Sequence, residues 1–440
     1  MVGITKMKAE KQKAEKEAFF CTTKELSRLG LEQIPTQFQS HKHLIYSSPA
    51  TLAFNSPGAE GFGVKRAGLA VPDSIMLIVA PGCCGRNTSL ISSMKEYNDR
   101  FYYLMMDETD IVTGRHLKKI PKAVEEICSV CPKKPSVVMI CITCVDALLG
   151  TDMERVCKKA EERLEIPVRP CYMYALTREG RKPPMVHVRQ SLYSLLEPGK
   201  KKGNVVNLLG FFSPLVGDCE IYDLLHSAGV KTIHEISRCK DYMEYQTMSE
   251  ANFNLVLHHE ARFAAEDFHN RLQIPFIELR RLYQIDKIEN QYHALGNALG
   301  VAFYDEKYKK QAEDALEKFR QKCPDASFAI GECLNADPFE LSLALIRYGF
   351  SVPEIYGTIT VENFTYIRSL AKISPETKVF SNMEPTMIYY DPAKSGVNLA
   401  IGKDACYYHP DCPYVMWNGE EQPYGYAGVR RLFEQLLEVV

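Results

Sequence analysis

The chain has 440 residues, of which 46% are hydrophobic and 25% charged, a composition typical of a globular protein with large apolar cores. Its net charge of -2 provides neither the basic excess that binds nucleic acid nor an acidic tail. We see no apolar leader at the N-terminus and no apolar run long enough to span a bilayer. We therefore expect a cytoplasmic protein of several domains with no nucleic-acid or membrane partner.

The first predicted elements flank a long irregular segment. Residues 7–20 have the charged pattern of a helix, whereas residues 32–70 are rich in Pro, Gly and Ser and lack periodicity. Residues 75–80 then form a continuous apolar run, which predicts a strand buried on both faces. Residues 137–142 form a second such strand. Each is followed by a turn that contains cysteine and then by a helical pattern.

The same pattern of strand, helix and strand begins again near Asn204 and near Ser327. The later predicted elements are strands 205–210, 254–257, 276–277, 328–331 and 351–356, and helices 220–228 and 338–348. Buried strands alternating with helices predict an α/β fold of three doubly wound, Rossmann-like domains with parallel sheets. We predict an N-terminal arm over 1–50 and domains over 51–202, 203–322 and 323–440.

Three of the fifteen cysteines follow the first two buried strands directly. Cys83 and Cys84 come after the first strand, and Cys144 comes after the second. Ligands of doubly wound sheets lie beyond the carboxyl ends of the strands, and a helix N-terminus favours the thiolate that binds metal. Iron–sulfur clusters generally need four thiolates, so a second polypeptide would have to complete the set. We predict a cluster on Cys83 and Cys144 at a subunit interface, with Cys84 as a further candidate ligand.

Simple burial is the alternative for every cysteine, since free cysteine is among the most buried residue types. We expect most of the fifteen to fill the core. Cys128 and Cys131, together with Cys141 and Cys144, also form the spacing CxxC-x9-CxxC, which could indicate zinc. The first pair, however, ends a helix and the second begins inside a buried strand, which disfavours a shared zinc ion.

Two histidine-containing segments are further candidates. His258 and His259 follow a short strand, where imidazoles could bind metal or act as general acids on a reduced substrate. Cys406, His409 and Cys412 form Cys-x2-His-x2-Cys, a possible set of metal ligands that lacks a fourth member. In both cases the alternative is that these side chains are buried, make their hydrogen bonds within the protein and have no direct function.

A basic stretch comprises Arg178, Arg181, Lys182 and His187. It is typical of a solvated loop, and the alternative is contact with an anionic substrate or an acidic reductase surface. The chain contains no Gly-x-x-x-x-Gly-Lys-Ser/Thr motif, so we expect no P-loop ATP site.

Several motifs together resemble nitrogenase component 1 chains. Pro81-Gly82-Cys83 is similar to that family's Gly-Pro-x-Gly-Cys turn, and residues 143–152 are similar to its Thr-Cys…Ile-Gly-Asp-Asp segment. The likeness covers roughly residues 50–440, and its other parts are residues 207–210, 217–221, 254–258, 273–276 and 425–428. Single motifs are weak, but their order and spacing are fairly specific.

The resemblance implies a homodimer or a pair of paralogous chains with a shared iron–sulfur cluster, to which an ATP-hydrolysing iron–sulfur reductase delivers electrons. Residues 55–59, where the family has a third cluster cysteine, contain none, so a 4Fe–4S cluster fits better than a larger one. The two ligands of the nitrogenase catalytic cofactor correspond to His258 or His259 and to a position near Asn418, so neither is retained.

These features lead to three hypotheses about function. The first is the catalytic component of a nitrogenase-like reductase, with a substrate or a second metallocluster between its domains. The second is an assembly scaffold for a metallocofactor, which the missing cofactor ligands favour. The third is a non-catalytic α/β subunit whose cysteines are simply buried.

Overall fold

Three β-sheets organise the chain in a computed structural model, which describes residues 17–39, 49–50, 63–82, 92, 94–172 and 182–440. The strands are, in chain order, β1 (Phe20–Thr22), β2 (Ile75–Ala80), β3 (Phe101–Met105), β4 (Val138–Ile142), β5 (Val168–Tyr172), β6 (Val205–Leu209), β7 (Thr232–His234), β8 (Phe253–Val256), β9 (Phe276–Glu278), β10 (Ser327–Ile330), β11 (Ser351–Tyr356), β12 (Lys378–Phe380), β13 (Leu399–Ile401) and β14 (Tyr414–Val415).

Helices connect these strands and pack against the sheets. In the described part of the chain they are α1 (Thr23–Leu29), α2 (Val64–Gly68), α3 (Glu108–Thr113), α4 (His116–Val130), α5 (Cys144–Leu149), α6 (Met153–Leu164), α7 (Pro184–Tyr193), α8 (Glu220–Ser227), α9 (Tyr242–Gln246), α10 (Arg262–Leu272), α11 (Ile285–Leu299), α12 (Glu306–Lys322), α13 (Pro338–Arg347), α14 (Phe364–Ile373), α15 (Lys403–Tyr408) and α16 (Gly425–Val439). None of the described helices is both long enough and apolar enough to cross a membrane.

The strand orders confirm the predicted doubly wound α/β fold. The first sheet has the order β3-β2-β4-β5, the second β7-β6-β8-β9 and the third β1-β12-β11-β10-β13-β14. Every pair is parallel except β1 with β12. The chain restarts this winding at β2, β6 and β10. The domain boundaries given above remain a prediction.

Each sheet contains one crevice suited to a ligand. In each sheet the chain first adds strands on one side of the starting strand and then crosses to its other side. The connections therefore diverge at three pairs of adjacent strands: β2 and β4, β6 and β8, and β10 and β13. Ligands of doubly wound sheets bind outside the carboxyl ends of the strands at such switch points. The residues that follow these strands are therefore the first candidates for a site.

Buried apolar residues explain why the central strands were predictable. All six residues of β2 and all five of β4 are buried, because helices cover both faces of a parallel sheet. The predicted helix over 7–20 is wrong at its end: residues 7–16 lie outside the described residues, and Phe20 begins a strand that pairs with Phe380. The segment 32–70, predicted to be irregular, contains the short helix α2.

Candidate functional site

The predicted iron–sulfur site lies at the switch point of the first sheet. β2 and β4 are adjacent and parallel, with Val79 opposite Ile142, and the cysteine turns follow directly. Cys83 and Cys84 lie outside the described residues. Cys144 is the first residue of α5 and only its backbone is described. The topology therefore agrees with neighbouring cysteine turns, and the contact between their sulfur atoms remains a prediction.

A buried histidine–aspartate pair fixes the turn that carries Cys144. Nε2 of His116 lies 2.8 Å from Oδ1 of Asp146, and Nδ1 of His116 lies 3.0 Å from the carbonyl oxygen of Asp110. The Thr151 hydroxyl donates to the same Oδ1 at 3.2 Å. Because His116 and Asp146 are each only 1% exposed, these bonds anchor the start of α5 to α4.

Two buried oxygen atoms beside Cys144 lack a partner. They are the Thr143 hydroxyl oxygen and Oδ2 of Asp146, and neither makes a hydrogen bond within the described part of the molecule. Buried polar groups are normally satisfied, so such atoms mark places where a further group is expected. The Thr143 hydroxyl could donate to a sulfide of a cluster bound there, whereas Oδ2 of Asp146 can only accept and needs a donor. The thiolate role of Cys144 remains a prediction.

The second and third sheets meet at a cavity of about 930 Å³, which we call the central cavity. Its wall includes residues that follow the strands β6, β8 and β9 of the second sheet, and β10, β13 and β14 of the third. Both switch points of these sheets thus open into one space. Arg66 and Met94 of the first domain also contribute to its lining.

Ion pairs stabilise the wall of the central cavity. Arg189 on α7 contacts Glu260 at 2.7 Å, and Arg66 on α2 contacts Glu420 of the third domain at 2.8 Å. Arg189 is 6% exposed and also donates to the Gly210 carbonyl, so this pair joins α7 to the end of β6. These contacts neutralise the cations involved and hold the domains together.

Arg281 differs from these paired cations. It makes no ion pair with a described carboxylate; its Nη2 donates to Gln422 at 2.6 Å, and its guanidinium lies 4.4 Å from the Phe211 ring centroid. Its buried Nε has no hydrogen-bond partner among the described groups. Burial lowers the pKa of Arg281 below its ordinary value. The cavity therefore contains a positive charge that an anionic ligand could neutralise.

The structure places His258 in this cavity, directly beyond β8, and His259 beside it. The two rings stack at 4.5 Å, and Phe211 packs edge-on against His258 at 5.7 Å. Burial, followed by the charges of Arg189, His259 and Arg281, lowers the pKa of His258 well below its ordinary value. The lowered pKa favours the neutral imidazole, which is the form that binds metal.

The predicted metal site at Cys406, His409 and Cys412 is not formed. Nε2 of His409 lies 3.2 Å from Oε2 of Glu354 and 2.9 Å from the Tyr390 hydroxyl. The Cys412 thiol donates to a backbone carbonyl, and burial raises the pKa of Cys406 to about 12. Among the described residues no group of three or more His, Cys, Asp or Glu side chains could hold a metal. His409 instead belongs to a buried polar network with Glu354 and Tyr390, whereas Cys406 packs in an apolar cluster.

The zinc alternative also lacks support. Cys128 and Cys131 pack with Ile140 on one face of the first sheet, whereas Cys141 belongs to the core on the other face. A sheet thus separates the first pair from Cys141. Burial raises the pKa of Cys128, which disfavours its thiolate.

The basic stretch shows no described anion site. Arg178 and Arg181 lie outside the described residues, and Nζ of Lys182 donates to Gln190 at 2.8 Å. His187 packs edge-on against Tyr172 at 4.3 Å, and burial, with a smaller contribution from the charge of Lys182, lowers its pKa to about 4. Contact with an anionic partner here remains a prediction.

Sequence reasoning missed Cys333, which lines the central cavity just beyond β10. The rule that ligand residues follow buried strands could have identified it, because Phe328–Ile330 is an apolar run and Cys333 is the third residue after it. Asn418, which corresponds by the resemblance to a cofactor ligand, lines the same cavity. The positions of His258 and Asn418 thus agree with the sequence correspondence.

Parallel sheets wound in this way, with two switch points at a shared cavity, define a doubly wound α/β protein that can bind a ligand beyond its strand ends. The family model for nitrogenase component 1 type oxidoreductases matches residues 60–440, so the chain belongs to this family. This confirms the resemblance and supports the expected iron–sulfur context.

The curated relatives include nitrogenase iron-molybdenum cofactor biosynthesis proteins NifE. The protein of Sinorhizobium fredii is 25% identical over 418 residues, which are 89% of this chain and 82% of that protein. The protein of Clostridium pasteurianum is 25% identical over 257 residues, 56% of this chain and 54% of its own length. Among solved structures, nitrogenase Cp1 at pH 6.5 matches with a TM-score of 0.69 at 19% identity, covering 87% of this chain and 91% of that one. This last likeness shows the fold alone.

Proposed function

We propose that this chain is a subunit of a scaffold on which a metallocluster is assembled before its transfer to a client protein. The observation that carries this proposal is the central cavity of about 930 Å³ at two switch points. Its volume suits a large bound group. The names of the NifE relatives, which describe cofactor biosynthesis, support the same reading.

A resident 4Fe–4S cluster at the first sheet belongs to this proposal. Cys144 and Cys83 would supply two thiolates, and an identical or paralogous partner chain would supply the others, with Cys84 as a reserve ligand. Such a cluster supplies one-electron transfer at low potential. This chain would fix Cys144 through the His116–Asp146 pair and shield the site from water by burial. An ATP-hydrolysing iron–sulfur reductase would be the electron donor.

The cluster in the central cavity would be the product that the scaffold assembles and then transfers to the client protein. Arg281, which lacks a described ion-pair partner, would balance its negative charge, while the pairs Arg189–Glu260 and Arg66–Glu420 would keep the wall in place. The family's usual cysteine and histidine ligands are replaced here by His258 and Asn418, and this weaker set would favour release over permanent retention.

Reductive catalysis in the cavity is the second candidate. The volume of the central cavity favours it too, because it lies within the range of pockets for small organic substrates. In that case neutral His258 and neighbouring His259 would orient a substrate and relay protons to it.

An isotope chase distinguishes the two candidates. Cells producing the chain and its partner would be grown anaerobically with 57Fe, then moved to natural iron while translation is blocked. A scaffold would lose the 57Fe of its cavity and keep that of its interface cluster, which Mössbauer spectra of the purified complex would show. Retention of all 57Fe through the chase would contradict the scaffold and favour the catalyst.

A further inference from the structure

Cys333 and His258 each follow a strand that borders the switch point of its sheet. His258 is the second residue after β8, and Cys333 is the third residue after β10. β8 and β10 each border the switch point of their sheet, and both residues line the central cavity. The central cavity is therefore lined by a thiol that follows a strand of the third sheet, Cys333, and by an imidazole that follows a strand of the second, His258.

The backbone around Cys333 is held from both sides. The amides of Glu332 and Cys333 donate to the two carboxylate oxygens of Asp404 at 2.8 and 3.0 Å. The Cys333 carbonyl accepts from the Lys403 amide at 3.1 Å. Gly331 allows this approach, since a Cβ there would lie 2.1 Å from Oδ1 of Asp404. A thiol on such a fixed turn is preorganised for ligation.

The His258 ring is also oriented by its surroundings. Nδ1 of His258 accepts a hydrogen bond from the Glu260 amide at 3.4 Å, and Oε2 of Glu260 lies 3.6 Å from the same nitrogen. Arg189 holds that carboxylate in place. Histidines that bind metal usually direct their second ring nitrogen to a carboxylate or carbonyl. The side chain of His258 is 34% exposed, so the ring remains accessible from the cavity.

We propose that Cys333 and His258 are the protein ligands of the metallocluster in the central cavity. This inference rests on the proposed function, because it requires that a cluster occupies the cavity. The Cys333 thiol would release its proton to solvent on binding. Nδ1 of His258 accepts a hydrogen bond from the Glu260 amide at 3.4 Å, so the ring proton lies on Nε2. Binding through Nε2 would therefore move that proton to Nδ1, beside the Glu260 carboxylate. Thiolate and imidazole both suit iron, and the charge of Arg281 offsets that of the bound anion.

Alkylation of the anaerobically purified complex tests the sulfur ligand. Iodoacetamide would be applied before and after iron is removed with bipyridyl, and each cysteine would be followed by peptide mass spectrometry. Cys333 should be protected in the iron-loaded complex and modified after iron removal. Cys323, a partly exposed cysteine outside the cavity, should react equally in both states. Equal labelling of Cys333 before and after iron removal, in a complex that contains cavity iron, would overturn the proposal.

Variants test both ligands by spectroscopy. C333S and H258N should each lose the Mössbauer signal of the cavity iron and keep that of the interface cluster. C323S and H269N should keep both signals, because Cys323 and the exposed His269 on α10 lie outside the cavity lining. If wild-type protein contains no cavity iron, the proposed function itself fails. If it contains cavity iron and C333S and H258N, shown to be folded by circular dichroism, keep the wild-type spectrum, only the ligand assignment fails.

Discussion

Replacing Asp404 by alanine should loosen the loop that carries Cys333. Asp404 is 1% exposed, and its carboxylate accepts the amides of Glu332 and Cys333 as well as the Asn382 side-chain amide. D404A removes the carboxylate that accepts these hydrogen bonds. The loop between β10 and α13 should then lose its defined position at the cavity wall.

The expected cost follows from these bonds. Each buried donor left unsatisfied costs about 1–3 kcal/mol, so the two backbone amides together account for roughly 2–6 kcal/mol. Burial raises the pKa of Asp404, which means that burying its ionised carboxylate destabilises the folded state. D404A removes this destabilisation and so offsets part of the loss of hydrogen bonds. We therefore expect the free energy of unfolding to fall by about 2–4 kcal/mol.

Trp417 provides the assay, because it is the single tryptophan of the chain and belongs to the same region. It is buried, its indole N–H donates to the Tyr283 hydroxyl at 2.6 Å, and its carbonyl accepts the Asn335 amide at 2.7 Å. Urea unfolding followed by Trp417 fluorescence should show a lower midpoint for D404A. D411A is the matched control, since Asp411 is exposed. Equal midpoints for D404A and D411A would refute the reasoning.

Three further perturbations have defined expected results in the same urea assay or in circular dichroism. H116A leaves Asp146 buried without its imidazole partner and should cost about 3 kcal/mol, a typical value for breaking a buried pair. G331A forces a Cβ against Asp404 and should cost about 1–3 kcal/mol. Burial raises the pKa of Glu340 to about 7 from 4.5, so the folded state binds its proton more tightly than the unfolded state. The stability of the wild type relative to E340Q should therefore fall as pH rises from 4.5 through 7.

Each of these expectations has its own check. For G331A the control is G419A, because an added Cβ at Gly419 meets no atom within 4 Å and should leave the midpoint unchanged. H116A with wild-type stability would show that the pair with Asp146 does not anchor α5. Parallel pH profiles for wild type and E340Q would contradict the raised pKa of Glu340.

Sequence reasoning found the central strands most directly where burial is complete. β2 matches its predicted range, because an unbroken apolar run reports burial on both faces. β11 also matches its predicted range, although it contains Ser351, Pro353 and Glu354 and its first residue is exposed. β3 was missed, since its residues are partly exposed at a sheet edge. β1 was mistaken for the end of a helix, because its pairing with β12, far along the chain, has no local signature.

The candidate site was predictable only in part, for a related reason. The strand-end rule located Cys144 and His258, which depend on one strand each. The spacing of Cys406, His409 and Cys412 was misleading, because His409 binds Glu354, 55 positions away in sequence. Long-range partners of this kind decide whether a side chain is available for metal, and local spacing does not encode them.

Iron and sulfide analysis of the complex is the most direct test of a cluster shared through Cys144. The complex would be purified anaerobically, and EPR spectra recorded after reduction with dithionite. We expect iron, acid-labile sulfide and the EPR signal of a reduced cluster in wild type and in C323S, and loss of that signal in C144S. Wild-type protein free of iron and sulfide, or a C144S spectrum identical to that of wild type, would contradict it.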